Sequence, residues 1–250
     1  MDYGLLLHLA APMMSFGTHS AFTIRDTHSR PTRSALIGLC AAALGLPRDA
    51  DLTDLRQLRF TIRADRPGQQ QSDFHTAGGG YAAARTIPSA DGGRKKPFVA
   101  TVITHRHYLA DAAFTVAVTG PADMIDEVAA ALDQPRYPLY AGRRAFPLAG
   151  PILIARVPDP NQELIRLPLH RDAQPWETEV TVEYASDQPT THTARTLLAD
   201  EPVSFEPLNR THQERPEYVT TRTHPANQCA GYGTDWISAV ATYRSTLETL

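Results

Sequence analysis

Cysteine is scarce in this 250-residue sequence, which contains only Cys40 and Cys229. Their spacing matches no metal-binding or redox motif, and the apolar, helix-like surroundings of Cys40 indicate a small core residue. The sequence also lacks any run of eighteen apolar residues, so no membrane span is predicted. Its first residues, Met1 and Asp2, do not begin the basic segment of a signal peptide. These absences together point to a cytoplasmic protein.

Sequence motifs for bound cofactors and metals are missing as well. Gly78, Gly79 and Gly80 form a glycine-rich stretch, but the Gly-x-x-x-x-Gly-Lys-Ser/Thr spacing of a phosphate-binding loop is absent. No set of His, Asp and Glu residues has the helical or hairpin spacing of metal ligands. We therefore expect neither a cofactor nor a metal site, and no residue is assigned a catalytic role.

Lysine is also rare, because arginine supplies all but two of the 24 basic side chains. The planar guanidinium suits phosphate contacts and stacking on bases, although the compositional bias of a GC-rich genome explains the arginine count equally well. Basic residues outnumber acidic ones by 16 to 13 in residues 1–150 and are outnumbered by 14 to 8 in residues 151–250. We expect the acidic part, including Glu177, Glu179 and Glu183, to face away from nucleic acid, towards a basic partner or solvent.

Hydrophobic residues make up 42% of the sequence and charged residues 20%, which is typical of a soluble globular protein with one large domain or two small ones. Apolar spacing in the first 150 residues indicates strand, helix, strand, an inserted hairpin, then strand, helix, strand. This order predicts an α+β, ferredoxin-like (RRM-like) core, a scaffold common among RNA-binding proteins. The predicted elements lie at 5–9, 32–45, 58–64, 77–105, 114–118, 121–132 and 137–144, with a loop at 65–72.

The acidic C-terminal part has weaker patterns. Residues 151–221 contain short alternating stretches, best seen at 179–184 and 192–198, which predict a small β subdomain. Residues 222–250 are assigned to a tail of unknown role. The residues of this tail that have the spacing of a short terminal helix are Trp236, Ile237, Val240 and Tyr243.

Five strings in order along the first 150 residues resemble one family. They are LHLAAPMMSFG at 7–17, RPTRSALIGL at 30–39, DFHT at 73–76, RHYLADAAF at 106–114, and PRY with YAGRR at 135–144. The family is the CasD (Cas-five) group of type I-E CRISPR Cascade complexes. Each string alone is weakly specific, whereas five in the right order make the resemblance strong. It covers roughly residues 3–150, and the acidic part resembles the family only loosely.

The resemblance implies a ferredoxin-like core with a protruding β-hairpin thumb, here at about 77–105. Members of the group cap the 5′ handle of the CRISPR guide RNA (crRNA) and do not cut RNA, which is the task of CasE. They contact the large subunit CasA and the first backbone subunit CasC, and they meet target DNA indirectly. We therefore expect a non-catalytic RNA-binding subunit with these partners. Its basic thumb lies across the guide, unless the stretch 78–97 is simply an exposed disordered loop.

The predicted start of the first helix is a candidate phosphate site. Backbone N–H groups and the helix dipole favour an anion there, and Arg30 and Arg33 flank it beside Ser34. The alternative is that Ser34 only caps the helix and both arginines are solvated. With the residues added by the resemblance, the predicted RNA-binding set is Ser15, Arg25, Arg30, Arg33, Ser34, Arg63, Arg106, Tyr108, Arg143 and Arg144.

Other members of this set are placed by strands and turns. Arg63 and Arg106 lie on predicted strands, where cationic side chains can reach the RNA-facing surface of an RRM-like sheet. Arg143 and Arg144 follow Gly142 in a turn, from which a guanidinium can reach a phosphate. One arginine of that pair is expected to be structural, bonded to carbonyls or to a carboxylate.

A serine, an aromatic residue and a glycine follow the first strand at Ser15, Phe16 and Gly17. A glycine permits close backbone approach, and an aromatic side chain can stack on an unpaired base. For Phe16, a place in the core beside the turn is the favoured interpretation.

Three histidines and a tyrosine keep an enzymatic alternative open: His75, His105, His107 and Tyr108. A metal-independent ribonuclease needs a base for the 2′-hydroxyl proton and an acid for the leaving oxygen, and histidine suits both roles near neutral pH. His105 and His107 share one strand face, although a polar stripe at the base of the thumb is the favoured interpretation. The alternatives to capping are thus an endoribonuclease that processes precursor crRNA and a generic RRM-like RNA-binding protein outside CRISPR defence.

Overall fold

The computed structural model describes residues 3–18, 20–21, 23–89, 91–189 and 194–247. Within these ranges the chain forms a mixed α/β structure, with ten strands in one largely antiparallel sheet and four α-helices. The strands are β1 (Gly4–Met14), β2 (Ser20–Ala21), β3 (Ile24–Arg25), β4 (Arg59–Arg66), β5 (Gln69–Ala77), β6 (Val102–Thr119), β7 (Leu153–Val157), β8 (Glu179–Ser186), β9 (Ala194–Ser204) and β10 (Thr211–Pro225). The helices are α1 (Arg33–Leu44), α2 (Ala122–Asp133), α3 (Pro160–Arg166) and α4 (Gly233–Leu247).

Four strands form the centre of the sheet in the order β7–β1–β6–β4, and each neighbouring pair is antiparallel. Helix α1 connects β1 to β4 along the chain, and α2 connects β6 to β7. The fourth strand predicted at 137–144 is wrong, because that segment forms a turn closed by an isolated bridge between Tyr140 and Pro147. Gly142, at a φ of 84°, reverses the chain there, and the strand follows later as β7.

Strand β1 separates two cores, as the alternation of its side chains requires. Leu5, Leu7 and Leu9 are buried in the larger core, under α1 and α2. Leu6 points to the opposite face and joins the smaller core beneath α3 and α4. A strand buried on both faces has no polar side to expose, which explains its run of leucines.

Helix α1 has both ends that its sequence predicts. The Thr32 side chain accepts a hydrogen bond from the backbone N–H of Ala35 at 3.3 Å, so Thr32 is the N-cap. Gly45 ends the helix in the left-handed conformation, with a φ of 76°, and its N–H donates to the carbonyl of Ala42. Nearly every side of the helix is buried, including the face of Cys40.

Strands β5 and β6 form a long antiparallel hairpin that extends beyond the core. The pairing runs from Gln69 opposite Ala110 to Ala77 opposite Val102. The predicted loop at 65–72 is therefore wrong, because its second half already belongs to β5. Large apolar side chains are exposed along the hairpin and its connecting segment: Phe74, Tyr81, Phe98, Val99 and Ile103.

The sheet continues without a break into the acidic part of the chain. β8 pairs with β4, placing Ala185 opposite Ile62, and also pairs with β10, which in turn pairs with β9. β8 forms at the predicted strand 179–184. For the strand predicted at 192–198, residues 192 and 193 lie outside the described residues, and β9 is described from Ala194.

The predicted terminal helix is present as α4, which buries Trp236 and Val240 in the smaller core and leaves Ile237 exposed. Beside it lies a stack of aromatic rings. The His8 ring lies 3.9 Å from the Trp236 ring, and His8 Nε2 is 2.9 Å from His170 Nδ1. Burial, with a smaller effect from His170, lowers the pKa of His8 to about 3. Among the described residues, no helix is long and apolar enough to cross a bilayer.

Candidate nucleic-acid interface

A cleft of about 460 Å³ lies where the end of β1, the strand β3, the start of α1 and the outer part of β6 converge. Its lining includes five of the predicted RNA-binding residues: Ser15, Arg25, Ser34, Arg106 and Arg143. We call it the arginine cleft, after its three predicted arginines. These residues come from five separate stretches of sequence, and only the folded sheet brings them together.

One wall of the arginine cleft depends on a close backbone approach between Ser15 and Gly142. The Ser15 N–H donates a 3.1 Å hydrogen bond to the carbonyl of Ala141, which draws the two segments together. A Cβ on Gly142 would lie 1.7 Å from the Ser15 carbonyl oxygen. Only glycine fits there, both because of this contact and because of its positive φ.

Arg143 is held at this wall by the backbone of β6. The carbonyl oxygen of His107 accepts hydrogen bonds from Arg143 Nη2 at 2.9 Å and from the Ser15 hydroxyl at 3.1 Å. The guanidinium also lies 5.6 Å from the centre of the Phe146 ring, within cation–π range. These contacts fix the side chain in place but leave other N–H groups of the fork for a ligand.

Arg25 and Arg106 are direct register partners in the parallel pair of β3 and β6. Their side chains therefore lie on the same face of the sheet. The Arg106 Nε donates a 3.0 Å hydrogen bond to the Thr104 hydroxyl, one alternate position along β6. Arg25 is exposed and Arg106 half-buried, so both guanidiniums are accessible from the cleft.

The cleft brings like charges together at reduced solvation. Burial, followed by the charge of Arg106, lowers the pKa of Arg143 from its usual range. Asp73, opposite Arg106 in the register of β5 and β6, acts in the other direction on Arg143. Neighbouring cations repel one another, so an anion that enters between them is bound favourably.

The predicted phosphate cradle at the start of α1 is filled by the protein's own carboxylates, which corrects that expectation. Arg30 donates to Glu217 at 2.7 Å and to Glu183, and only 8% of the residue is exposed. Arg33 is 2% exposed and pairs with two further carboxylates. The acceptors of the Arg33 guanidinium are the carboxylates of Asp187 and Glu201 and the carbonyls of Leu58 and Arg56. Four carboxylates of the acidic part thus join it to the core through these arginines, whereas Glu179 of the same part is exposed to solvent.

Arg63 does not face solvent either, so the prediction of a cationic outer face on β4 is wrong at this position. The residue is fully buried and pairs with Asp65, which is equally buried. Its Nη1 donates to the carbonyl oxygens at the end of α3, including that of Leu167 at 2.8 Å. An arginine can close the end of a helix in this way because its five N–H donors satisfy several carbonyls at once.

The remaining predicted residues lie near the cleft but outside its lining. Tyr108 is half-buried against the larger core, with its ring 6.1 Å from that of Phe146. Arg144 is exposed on the turn next to Arg143. Phe16 is 2% exposed and packs edge-on against Phe114, which confirms its interpretation as a core aromatic.

The histidines of the enzymatic alternative have different side-chain neighbours. His105 is exposed beside the Phe74 ring at 5.6 Å, whereas His75 lies 3.9 Å from a carboxylate oxygen of Asp73. His107 contributes its backbone carbonyl to the arginine cleft. Across the ranges that the structure describes, no group of three or more His, Cys, Asp or Glu residues could hold a metal ion.

Five lining residues were not predicted from the sequence: Thr18, Asp26, Ala199, Arg210 and His212. Asp26 is an acidic residue among the arginines, whereas Arg210 and His212 are basic. Arg210 immediately precedes β10 and His212 lies at its start, in the part of the chain where acidic residues outnumber basic ones. Net charge over a long segment hides such a local cationic pair. A weak signal was present, since the stretch around Arg210 is the one basic interruption between Glu206 and Glu214.

Comparison with known proteins finds relatives along most of the chain. The family model described as CRISPR-associated protein (Cas_Cas5) matches residues 4–219. The CRISPR system Cascade subunit CasD of Escherichia coli (strain K12) is 33% identical over 216 residues, which cover 80% of this chain and 88% of that protein.

Solved structures extend the likeness to the acidic part. A chain of a CRISPR RNA-guided surveillance complex is 44% identical with a TM-score of 0.86, and the match covers 97% of this chain and 99% of that one. A second structure, described as the crystal structure of a Cas protein, is 27% identical with a TM-score of 0.63, over 92% of this chain and 98% of the other. The sheet beyond residue 150 is therefore shared with these relatives.

Proposed function

This chain belongs to the CRISPR-associated Cas5 family, and from that premise we propose that it is the type I-E Cascade subunit that holds the 5′ handle of the crRNA in the arginine cleft. On this proposal the protein binds RNA and does not cut it. The observation that carries the proposal is the convergence of Arg25, Arg106 and Arg143 on one accessible cleft. Family membership sets aside the alternative of an RNA-binding protein outside CRISPR defence.

The chemistry of the cleft suits the backbone of a single strand. Guanidinium groups make bidentate, charge-assisted hydrogen bonds to phosphate oxygens. Arg143 is held in advance by the His107 carbonyl and the Phe146 ring, so binding costs little side-chain entropy. The Ser15 and Ser34 hydroxyls add neutral donors and acceptors at the same wall.

We also propose that the core carrying this cleft is ferredoxin-like, or RRM-like. The central order β7–β1–β6–β4, with α1 and α2 as the two crossovers, supports that classification. The outer part of β6 extends past the core, where it pairs with β5 on one side and with the short strand β3 on the other. The cleft lies beside this extension, which gives the RNA a cationic surface outside the packed layers.

The long hairpin is the proposed contact with neighbouring subunits, CasC of the backbone and the large subunit CasA. Phe98 is 82% exposed and Phe74 60% exposed, with Tyr81 and Val99 also exposed in the same region. Exposed apolar side chains so close together mark a surface that another protein covers. The exposed Arg85 and Arg94 in the connecting segment supply charge for the guide RNA that passes between subunits.

The test is a binding measurement with the full chain and an RNA labelled at its 3′ end, whose 5′ end is the repeat-derived handle. The double variant Arg106→Gln, Arg143→Gln is expected to bind at least about tenfold more weakly, with a salt slope reduced by about 0.7 for each lost phosphate contact. The control is the double variant Arg156→Gln, Arg222→Gln, which loses the same charge from two exposed arginines that lie over tyrosine rings away from the cleft. If both double variants bound this RNA as tightly as the unchanged chain does, the proposal would be wrong.

The same RNA separates capping from cleavage. Incubated with the full chain and a metal chelator, the RNA is expected to remain intact on this proposal, which is supported by the separate contacts of His75 with Asp73 and of His105 with the Phe74 ring. Chain-dependent cleavage at one site of the repeat would instead establish the endoribonuclease alternative.

A further inference from the structure

The hairpin β9–β10 supplies the wall of the arginine cleft that faces the predicted arginines. Ala199, Arg210 and His212 line this wall. Arg210 lies at the end of the turn between the two strands and remains exposed to solvent, while His212 is half-buried opposite Pro202. The cleft is thus a gap between two parts of the chain, one on β3 and β6 and the other on the C-terminal hairpin.

An aromatic contact sets the position of Arg210. Its guanidinium lies 5.5 Å from the centre of the Phe205 ring, which is packed against the larger core. The edge of that ring lies 3.6 Å from where a Cβ on Gly38 would be, so the ring covers α1 at a residue without a side chain. Phe205 therefore contacts both the Arg210 guanidinium and α1, the helix whose start borders the cleft.

Buried charges hold the rest of the hairpin against α1. Asp200 is 1% exposed and accepts hydrogen bonds from the backbone N–H of Arg33 at 2.7 Å and from Arg215 Nε at 2.7 Å. Asp200 is next to Ala199, which lines the cleft. These bonds of Asp200 at the start of α1 hold the hairpin β9–β10 beside that helix. The second wall of the cleft is therefore held in position relative to the first.

The second wall has one permanent cation, Arg210, and beside it the titratable ring of His212. Arg210 is exposed at the surface, and the partial loss of solvent around its guanidinium, followed by the charge of Arg48, lowers its pKa. Partial burial and the charge of Arg210 lower the pKa of His212. Asp200 acts in the opposite direction on His212. An anion placed in the cleft would relieve the repulsion on both sides of it.

We infer that Arg210 and His212 form a second phosphate-binding wall, so that the RNA backbone is clamped between β6 and the C-terminal hairpin, with Phe205 as the positioning residue for Arg210. This inference rests on the proposed function and adds to it that the acidic part of the chain contacts the guide. RNA that enters the cleft must meet both walls, because the hairpin is fixed to α1 by Phe205 and Asp200.

The experiment compares Arg210→Gln with Arg222→Gln in the full chain, using the 3′-labelled RNA with the repeat-derived 5′ end. Both arginines belong to the same hairpin, and both lie over an aromatic ring, Phe205 and Tyr184 respectively. Arg210→Gln is expected to weaken binding about fivefold to tenfold and to reduce the salt slope by about 0.7. Arg222→Gln is expected to bind within about twofold of the unchanged chain, because Arg222 does not line the cleft. This control measures the effect on RNA affinity of losing one positive charge outside the cleft.

The role of Phe205 has its own readout. Phe205→Leu keeps every charge and is expected to weaken RNA binding about threefold to fivefold, and this loss is expected to vanish when Arg210 is already glutamine. Equal losses from Phe205→Leu with and without Arg210 would overturn the positioning role.

The outcomes separate this inference from the proposed function. If Arg210→Gln binds as well as Arg222→Gln while the Arg106, Arg143 double variant loses affinity, the second wall is refuted and the capping function stands. If the Arg106, Arg143 double variant also binds normally, the proposed function itself fails.

Discussion

The backbone N–H of Arg33 donates a 2.7 Å hydrogen bond to the carboxylate of Asp200, 167 residues further along the chain. Arg33 opens α1, so the carboxylate lies at the positive end of the helix dipole. Asp200 also accepts 2.7 Å and 2.9 Å hydrogen bonds from the guanidinium of Arg215. One carboxylate therefore joins the first helix to both strands of the C-terminal hairpin.

Replacing Asp200 with alanine is expected to destabilise the protein strongly. The change leaves the buried Arg215 without its main partner and the N–H of Arg33 without an acceptor, at a cost of about 3–5 kcal/mol in the free energy of unfolding. Urea denaturation of the purified chain measures this. The control is Asp126→Ala, which removes an exposed ion pair with Arg156 and is expected to cost less than about 1 kcal/mol. Similar losses for both variants would refute the structural role of Asp200.

Gly142→Ala is expected to be far more harmful than Gly92→Ala, although both glycines have a φ of 84°. A Cβ at Gly92 meets nothing within 4 Å, so that variant reports backbone strain alone, about 1–2 kcal/mol. A Cβ at Gly142 would overlap the Ser15 carbonyl oxygen, and the cost is expected to reach about 3 kcal/mol or more. The thermal midpoint measures both changes.

The same pair of glycine variants checks the geometry of the arginine cleft. Movement of the Gly142 turn displaces Arg143 from the His107 carbonyl, so RNA affinity is expected to fall in Gly142→Ala at a temperature where the variant remains folded. Gly92→Ala is expected to bind RNA normally. A folded Gly142→Ala chain with full affinity would contradict the assigned position of Arg143.

The buried His8 is expected to make the protein sensitive to mild acid. Its pKa is lowered from 6.5 to about 3, with His170, Asp65, Arg63 and Arg66 as the charged or titratable neighbours. Above pH 6.5 both the folded and unfolded states hold a neutral imidazole, and His8 has no effect on stability. As the pH falls below that value, only the unfolded state takes up the proton, so the free energy of unfolding drops by about 1.4 kcal/mol per pH unit.

Urea denaturation over a pH series measures this slope. In His8→Gln the amide can still bond to His170, and the slope is expected to be shallower by about 1.4 kcal/mol per pH unit. Carboxylates with lowered pKa values, such as Glu217, also weaken the fold in acid, and they remain in both chains. Identical slopes for the two chains would show that His8 is not held neutral in the fold.

His212 is expected to make RNA binding stronger at lower pH. In the free protein its pKa lies below 6.5, owing to burial and the charge of Arg210, so the ring is neutral at neutral pH. A phosphate in the cleft favours the protonated ring and raises that pKa, which couples RNA binding to proton uptake. Between about pH 7.5 and pH 5.5 the affinity is expected to rise about threefold or more.

The matched variant for this pH series is His212→Gln, in which the extra affinity at low pH is expected to disappear. His105 is exposed on the hairpin away from the lining, so His105→Gln is the control and should keep the pH dependence. If the pH dependence were lost in His105→Gln and kept in His212→Gln, the titrating group would be His105, and the prediction for His212 would be wrong.

Much of the fold was predictable from local patterns. Thr32 and Gly45 mark the two ends of α1 with side-chain and backbone chemistry that depends on a few neighbouring residues. The fourth central strand was not predictable at 137–144, because a glycine turn such as that at Gly142 separates apolar residues in the same way as a short strand. Its replacement, β7, depends on pairing with β1 at the far end of the sequence.

For the candidate site too, residues near local motifs were predictable, whereas their long-range partners were not. Arg106 and Arg143 were found because they lie next to recognisable strand and turn motifs, and both line the cleft. Arg30, Arg33 and Arg63 belong to similar motifs, yet their guanidiniums bond to carboxylates and carbonyls of distant segments. Local spacing contains no information on whether a charge is already neutralised.

The sequence by itself determined the helices α1, α2 and α4, the strands β1, β4 and β8, and the family, since each follows from spacing or motifs within a few tens of residues. Only the tertiary structure decided which arginines are neutralised by carboxylates of the same chain. Arg33 meets Asp187 and Glu201 across separations of 154 and 168 residues, and that encounter requires β8 to pair with β4 and the hairpin β9–β10 to cover α1. A buried charge must be paired, so the fold commits Arg33 to these carboxylates, and the proposed ligand contacts are instead Arg25, Arg106 and Arg143.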